Sequence, residues 1–266
     1  MLIVAHGSRD PRHAATVSAL AARVRSLAPA PRVAVGFLEF SVPGVGQALD
    51  RLHAAGEREV VVLPLLLSSA YHARTDIPAV LAEQRARLPG MAVRQAEVLG
   101  PRRSRTPGSW RPDPWPGPGA AALLLAALER RLAESWPVPA DRSDTGVVLA
   151  SAGTSAPAAV AVIENLAEAW RRAAGWCAVR PAFAAASPPR TADAVRALRA
   201  DGARRVVVAP YVIAPGRLPD RIAAGAREAA ADLVTPVLGA APELARLLRH
   251  RYEEAAGAHA GRRLAG

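Results

Sequence analysis

The sequence is poor in the residues that build disulfide frameworks and membrane spans. Its 266 residues include one cysteine, Cys177, which excludes a disulfide framework and a zinc site made of several cysteines. No basic segment precedes the short apolar run at the start, so this region does not resemble a signal peptide. The longest later apolar run, residues 120–128, is much shorter than the roughly 20 residues of a membrane span. These absences predict a cytoplasmic protein with no membrane partner.

Lysine is absent and aromatic residues are few, so the positive net charge does not by itself indicate a nucleic-acid-binding surface. All 34 basic residues are arginine, against 23 acidic residues, so the formal net charge is +11. Arginine without lysine, together with abundant alanine, indicates a GC-rich genome more than a basic surface. Nucleic-acid-binding proteins usually interleave basic with aromatic side chains, and only 4% of this sequence is aromatic. We expect no nucleic-acid partner, although the charge suits an anionic small substrate.

Short apolar, β-branched runs alternate with amphipathic stretches rich in Ala, Leu and Arg. This alternation predicts strands followed by helices, and hence an α/β fold with parallel sheets. Strands without polar alternation, such as residues 60–67, suit sheets that helices cover on both faces. The predicted strands are Leu2–Ala5, Arg32–Leu38, Glu59–Leu67, Ala92–Leu99, Thr145–Ala150, Ala178–Ala184, Arg204–Ile213 and Leu233–Leu238.

The two halves of the chain repeat one pattern at an offset of 146 residues. Gly7 matches Gly153, and similar glycine, proline and valine pairs follow in order. These matches predict two similar domains from an internal duplication, each a four-stranded parallel sheet flanked by helices. A polar, proline-bearing linker separates an N-terminal domain, 1–138, from a C-terminal domain, 145–266. A duplication supplies in one chain what a homodimer of half-length units would, so we expect a monomer.

Three polar residues of the first half are missing from the second. The replacements are His6 by Ala152, Glu39 by Ala185, and His72 by Gly216 in a loop two residues shorter. Residues needed for folding should recur in both copies, whereas the residues of a single site can be lost from one. We therefore expect His6, Glu39 and His72 to form one functional site in the N-terminal domain.

These three residues follow three successive predicted strands. If the first strand lies between the second and the third, their side chains meet at the carboxyl edge of the sheet, where open parallel sheets bind ligands. Two imidazoles and a carboxylate suit Fe(II), Co(II), Ni(II) or Zn(II) rather than Mg(II) or Ca(II). Three ligands leave coordination positions open, as expected of a site that passes its metal on. The imidazoles can also accept protons near neutral pH.

The residues after His6 allow two interpretations. Ser8, Arg9 and Asp10 either contact an anionic substrate or form the turn and cap of a helix that begins at Pro11. His13 falls within that helix and is expected on the surface.

Three segments of the first half carry a family resemblance. They are Val4–Pro11 (VAHGSRDP), Gly36–Glu39 (GFLE) and Pro64–Pro78 (PLLLSSAYHARTDIP). Together they resemble the class II chelatases that act on sirohydrochlorin, in their long, internally duplicated form. The resemblance covers nearly the whole chain and implies two similar α/β domains with a tetrapyrrole bound in a cleft between them.

The resemblance also implies roles for particular residues. His6 and His72 would be the principal metal-site and catalytic residues, with Glu39 assisting. Ser8, Arg9 and Arg74 would bind the carboxylates of the substrate. The divalent metal would be a substrate, and no permanently bound cofactor is expected.

The implied reaction is insertion of Fe(II) into sirohydrochlorin to make sirohaem. Insertion of Co(II) towards cobalamin is the alternative within the class, and Ni(II) also suits the ligands. A non-catalytic carrier of metal or tetrapyrrole is the alternative from another class.

The first half carries an insertion, about residues 101–119, that the second half lacks. Its density of proline and glycine excludes a helix or a central strand, so a loop is predicted. This loop is either a surface insertion or a lid whose arginines, Trp110 and Trp115 contact the macrocycle.

Overall fold

A computed structural model describes residues 1–27, 31–68, 75–101, 118–136 and 141–264 as alternating strands and helices. The first half contains β1 (Leu2–Ala5), α1 (Pro11–Leu27), β2 (Ala34–Phe37), α2 (Val45–Ala54), β3 (Glu59–Pro64), α3 (Ile77–Arg87), β4 (Ala92–Gln95) and α4 (Ala120–Ser135). The second half contains β5 (Thr145–Ser151), α5 (Pro157–Ala174), β6 (Ala178–Phe183), α6 (Thr191–Ala200), β7 (Arg205–Tyr211), α7 (Arg217–Glu228), β8 (Leu233–Val234) and α8 (Pro242–Leu264). Among the described residues, no helix combines the length and apolar character that a membrane span requires.

The first sheet is parallel, with strand order β2-β1-β3-β4. Leu2 of β1 pairs with Ala34 on one side and with Val62 on the other. The first strand therefore lies between the second and the third, and the carboxyl ends of these three strands are neighbours at one edge. Most of the insertion at 101–119 lies outside the described residues, so its role as a lid stays a prediction.

The second sheet repeats this arrangement with the order β6-β5-β7-β8, again all parallel. Gly146 of β5 pairs with Ala178 of β6 and with Val206 of β7. Two four-stranded parallel sheets with helices between their strands confirm the predicted α/β class and are consistent with the duplication. The cleft that the resemblance implies stays a prediction.

Equivalent apolar residues pack the helices on the two sheets. In α2, Ala48, Leu49 and Leu52 follow helical spacing and are buried against the first sheet. Burial of one leucine or valine side chain contributes roughly 1.5–3 kcal/mol. Pairs at the 146-residue offset occupy both cores: Ala48 and Ala194, Leu52 and Leu198, Val60 and Val206, Val62 and Val208. The two halves therefore share an apolar framework.

The last helix of the second half packs on the first sheet. Helix α8 contacts α1 and β3, and the side chain of Arg251 is 1% exposed. Its guanidinium donates hydrogen bonds to the backbone carbonyls of Val98 (3.0 Å) and Gly100 (3.2 Å), just after β4. These carbonyls follow the last strand of the first sheet, so α8 completes the packing of that sheet although it lies far away in the sequence.

The last helix of the first half correspondingly packs among elements of the second. Arg131 of α4 donates hydrogen bonds to the carbonyl of Leu238, at 2.8 and 3.1 Å. Glu129, also in α4, accepts a hydrogen bond of 2.6 Å from the indole N–H of Trp170 in α5. The indole of Trp176 donates to the same carboxylate oxygen at 3.2 Å.

This exchange of helices sets the composition of the compact units. One unit contains residues 1–100 and the chain from Ala240 through α8, whereas the other contains residues 121–239. The sequence predicts two consecutive domains, 1–138 and 145–266, and the units differ from these because α4 and α8 change places. The linker stays a prediction for the boundary between the two repeats.

Candidate metal and substrate site

The carboxyl ends of β1 and β2 bring His6 and Glu39 together. His6 is the first residue after β1, and Glu39 is the second after β2. The amide of Leu38 donates to the carbonyl of Ala5 (3.0 Å), and the amide of Glu39 donates to the carbonyl of His6 (2.9 Å). The hydrogen-bond ladder of the two strands thus continues beyond the sheet and holds these two residues on adjacent backbone segments.

Gly7 makes this close approach possible. Its φ is +95°, a conformation that residues with a side chain rarely adopt. A Cβ atom at this position would lie 1.8 Å from the carbonyl oxygen of Glu39, far inside van der Waals contact. Glycine is therefore required at position 7 because the backbone of Glu39 lies too close for a side chain.

The half-buried imidazole of His6 has its Nδ1 3.3 Å from the carbonyl oxygen of Gly7. A carbonyl oxygen only accepts, so this contact favours the tautomer with its proton on Nδ1. In that tautomer Nε2 keeps the lone pair that binds a metal or accepts a proton. Glu39 is exposed, so its carboxylate is accessible to solvent at the same edge of the sheet. An imidazole and a carboxylate at one edge can hold a borderline divalent metal.

Two polar side chains in the turn after His6 accept hydrogen bonds from backbone amides of the same turn. Ser8 Oγ accepts a hydrogen bond from the amide of Asp10 at 3.0 Å. Asp10 Oδ1 accepts from the amide of Arg12 at 2.9 Å, which caps α1 in front of Pro11. Hydrogen bonds from the Arg12 side chain hold the pKa of Asp10 below its ordinary value. These contacts support the turn-and-cap interpretation of Ser8 and Asp10, and substrate binding by Ser8 stays a prediction.

Arg9 is placed differently. Its side chain is exposed, and its guanidinium carbon lies 5.0 Å from the centre of the Phe40 ring. It is therefore positioned at the site with its charge accessible, as a contact to a substrate carboxylate requires.

His72 and Arg74 lie outside the described residues, so their membership of the site stays a prediction. Among the residues that the structure does describe, no three His, Cys, Asp or Glu side chains are grouped to hold a metal. The predicted set of two imidazoles and one carboxylate thus needs His72 for completion.

His13 lies at the same edge, although the helical pattern alone places it on the surface. It is half-buried in the first turn of α1, and its ring centre is 6.4 Å from that of Phe37 at the end of β2. Burial lowers the pKa of His13 from its ordinary value of 6.5, and His6 lowers it further. The duplication also marks this residue, because Ala159 stands at the equivalent position.

Two parallel sheets of the same order, with imidazole and carboxylate side chains at the ligand-binding edge of the first, define a duplicated α/β protein with a candidate metal site. The chain belongs to the CbiX family, whose model matches residues 1–105 and 146–255. The two matched ranges correspond to the two repeats, and the match confirms the family resemblance of the sequence.

Relatives with known names agree with this membership. The chain is 28% identical over 225 residues to the sirohydrochlorin cobaltochelatase of Priestia megaterium, covering 84% of this chain and 66% of that protein. It is 24% identical over 258 residues to the sirohydrochlorin ferrochelatase of the same organism, covering 95% and 89%. The chain thus spans about two thirds of the first relative and most of the second.

Solved structures support the fold. SirB from Bacillus subtilis with Fe3+ matches with a TM-score of 0.79 and 22% identity, over 97% of this chain and 96% of that chain. CbiX, described as the terminal enzyme for biosynthesis of siroheme in denitrifying bacteria, matches with a TM-score of 0.61 and 26% identity, over 96% and 98%.

Proposed function

We propose that this protein is a sirohydrochlorin chelatase and that it inserts Fe(II) to make sirohaem. The observation that carries the proposal is the position of His6 and Glu39 on adjacent backbone segments at the carboxyl edge of the first sheet, in a member of the CbiX family. The same positions in the second repeat are Ala152 and Ala185. The names of the two Priestia relatives supply the substrate.

The reaction exchanges two protons for one metal ion. A free-base macrocycle releases two pyrrole N–H protons when its four nitrogens bind the metal. The Nε2 atom of His6 would hold the metal weakly from one face, with His72 as the second imidazole. Glu39 would receive one of the two protons as the ring nitrogens take over the metal, and an imidazole that the metal has left would receive the other.

The choice of metal is a separate part of the proposal. Imidazole and carboxylate ligands suit Fe(II), Co(II) and Ni(II) alike, and the supply of metal in the cell usually decides. Several relatives, one of the two Priestia megaterium proteins among them, are named for cobalt, and the other Priestia protein is named for iron. Fe(II) is the proposed metal because the ferrochelatase matches over more of both chains than the cobaltochelatase does. Co(II) is the alternative.

The test is an anaerobic insertion assay that follows the absorbance of sirohydrochlorin mixed with Fe(II) or Co(II). We expect wild-type protein to accelerate insertion above the protein-free rate, faster with Fe(II). His6→Ala and His72→Ala should each lower the rate by about a hundred-fold or more, and Glu39→Gln by less. His53→Ala is the matched control, because it removes an imidazole from the end of α2 that leads to the opposite edge of the sheet.

The outcomes separate the alternatives. Insertion at the protein-free rate with the macrocycle still bound would overturn the chelatase proposal and identify a carrier. Faster insertion of Co(II) than of Fe(II) would overturn the choice of metal alone. Equal loss of activity in His53→Ala and His6→Ala would contradict the assignment of the site.

A further inference from the structure

An exposed aromatic side chain lies beside the candidate metal site. Phe40 directly follows Glu39 and is 56% exposed, and Val42 is 83% exposed. The centre of the Phe40 ring lies 6.4 Å from that of the His6 imidazole, and the two planes differ by 28°. Single exposed apolar side chains are common on protein surfaces, so the relevant feature of Phe40 is its position beside the His6 imidazole.

The backbone at Phe40 shows that the phenyl ring is not needed for the fold. Its φ is +59°, in the left-handed region that is unfavourable for a bulky residue. Ala186, the equivalent residue of the second repeat, has the same conformation, with a φ of +64°. A methyl side chain is therefore sufficient for this turn, and the larger ring of Phe40 must serve something other than backbone shape.

A cation is associated with the same ring. The guanidinium carbon of Arg9 lies 5.0 Å from the centre of Phe40, within the range of a cation–π contact. The second repeat has Ser155 in place of Arg9 and Pro188 in place of Val42. The ring, its apolar neighbour and its cation are thus all replaced in the half that also lacks the imidazole.

We propose that Phe40 and Val42 form the apolar surface that receives the flat face of the tetrapyrrole, with Arg9 beside them for a carboxylate of its rim. This inference rests on the proposed function for the identity of the ligand. A flat, largely apolar ring with carboxylates at its rim complements a phenyl ring that has a guanidinium next to it. Phe40 would then be a substrate-binding residue that keeps the macrocycle next to the His6 imidazole.

The experiment is a titration of the full-length protein with metal-free sirohydrochlorin, followed by absorbance. Phe40→Ala should weaken binding about ten-fold, the loss expected for one stacked aromatic contact. Phe40→Tyr keeps the ring and should bind within about two-fold of wild type. Leu27→Ala, which removes another exposed apolar side chain (43% exposed) from the end of α1, should leave binding unchanged.

A second titration with Co(II) alone separates substrate binding from support of His6. If Phe40 only orients the imidazole, Phe40→Ala will weaken Co(II) binding and leave sirohydrochlorin binding unchanged, and that result overturns the proposal. We expect instead that Phe40→Ala weakens sirohydrochlorin binding and leaves Co(II) binding unchanged. The variant should fold normally because it recreates the side chain of Ala186, and its unfolding midpoint checks this.

The two proposals fail in different ways. Equal sirohydrochlorin affinity of wild type and Phe40→Ala, with insertion intact, overturns this inference and leaves the chelatase. Weaker binding by Phe40→Ala in a protein that never inserts metal supports the binding surface and overturns the chelatase. Absence of sirohydrochlorin binding by wild type overturns both.

Discussion

The carboxyl edges of the two sheets share one backbone arrangement and differ in their side chains. Gly7 in the first and Gly153 in the second have φ values of +95° and +99°. An added Cβ would meet the carbonyl oxygen of Glu39 at 1.8 Å and that of Ala185 at 1.9 Å. The close approach between the backbone segments after the first and second strands of each sheet is thus almost identical in both halves.

Polar contacts of the backbone are repeated as well. The hydroxyl of Ser41 donates to the carbonyl of Ser8 (3.3 Å), and the hydroxyl of Ser187 donates to the carbonyl of Thr154. What differs is the imidazole, the carboxylate and the phenyl ring, each replaced by alanine in the second repeat. Within one molecule, this contrast separates the residues that the fold needs from those available for a ligand.

The largest loss of stability is expected for substitution of Gly7 and Gly153, the glycines at which the two edges are most alike. Gly7→Ala and Gly153→Ala should each lower the free energy of unfolding by about 4 kcal/mol, because the methyl group collides with a backbone carbonyl. Urea denaturation measures this. Gly56→Ala is the control: its φ is +88° but no atom lies within 4 Å of the added Cβ, so about 1 kcal/mol is expected. A large difference between Gly7→Ala and Gly153→Ala would contradict the equivalence of the edges.

The arginines that hold the exchanged helices should show a smaller and unequal effect. Arg251→Ala should cost about 3 kcal/mol, because this buried side chain bonds to the Val98 carbonyl and pairs with Glu254 at 2.9 Å. Arg131→Ala should cost only about 1 kcal/mol, since its side chain is 18% exposed and bonds to the Leu238 carbonyl.

Chemical denaturation of both variants checks this order. Arg172→Ala serves as a control for loss of positive charge, because its side chain is 62% exposed, and its effect should stay below about 0.5 kcal/mol. If Arg131→Ala proves the more damaging of the two helix variants, the burial argument is wrong.

The smallest effect concerns His13, which the second repeat replaces with Ala159. Burial and the neighbouring His6 lower the pKa of His13 in the folded protein, whereas Asp10 raises it. The unfolded chain therefore binds the proton more tightly, so His13 reduces stability as the pH falls below about 6.5 and has no such effect above it.

His13→Ala should remove this loss. The free energy of unfolding of the variant minus that of wild type should be larger at about pH 5 than at about pH 8. Urea denaturation at the two pH values measures this difference. Titrating groups that do not interact with His13 cancel in the difference, which reports His13 together with its coupling to His6 and Asp10. A difference that does not change with pH would refute the lowered pKa.

The strands were predictable from the sequence because burial on both faces of a parallel sheet requires continuous apolar runs. The order of β1, β2 and β3 agrees with the expectation that strand order reverses once within a parallel sheet. The positions of His6 and Glu39 followed from this order, since His6 is the first residue after β1 and Glu39 is the second after β2. These are local patterns combined with one topological rule.

The exchange of α4 and α8 was not predictable in the same way. An amphipathic helix shows which of its faces is buried, but not which of two similar sheets covers that face. The half-buried ring of His13 and the left-handed conformation of Phe40 depend likewise on tertiary packing. The helical pattern of the sequence placed His13 on the surface, and the predicted site did not include Phe40; their replacement by Ala159 and Ala186 in the second repeat is the one sequence signal that could have marked them.

The exchanged helix α8 has a consequence for biosynthesis of the chain. Arg251 bonds to Val98, a residue made 153 positions earlier, and α8 begins only at Pro242. A nascent chain therefore exposes the surfaces of α1 and β3 that α8 covers until α8 itself has been synthesised, and such surfaces bind chaperones or aggregate. Contacts of this sequence separation also slow folding. The unit that carries the candidate site therefore cannot be completed until the strands of the second sheet have been synthesised.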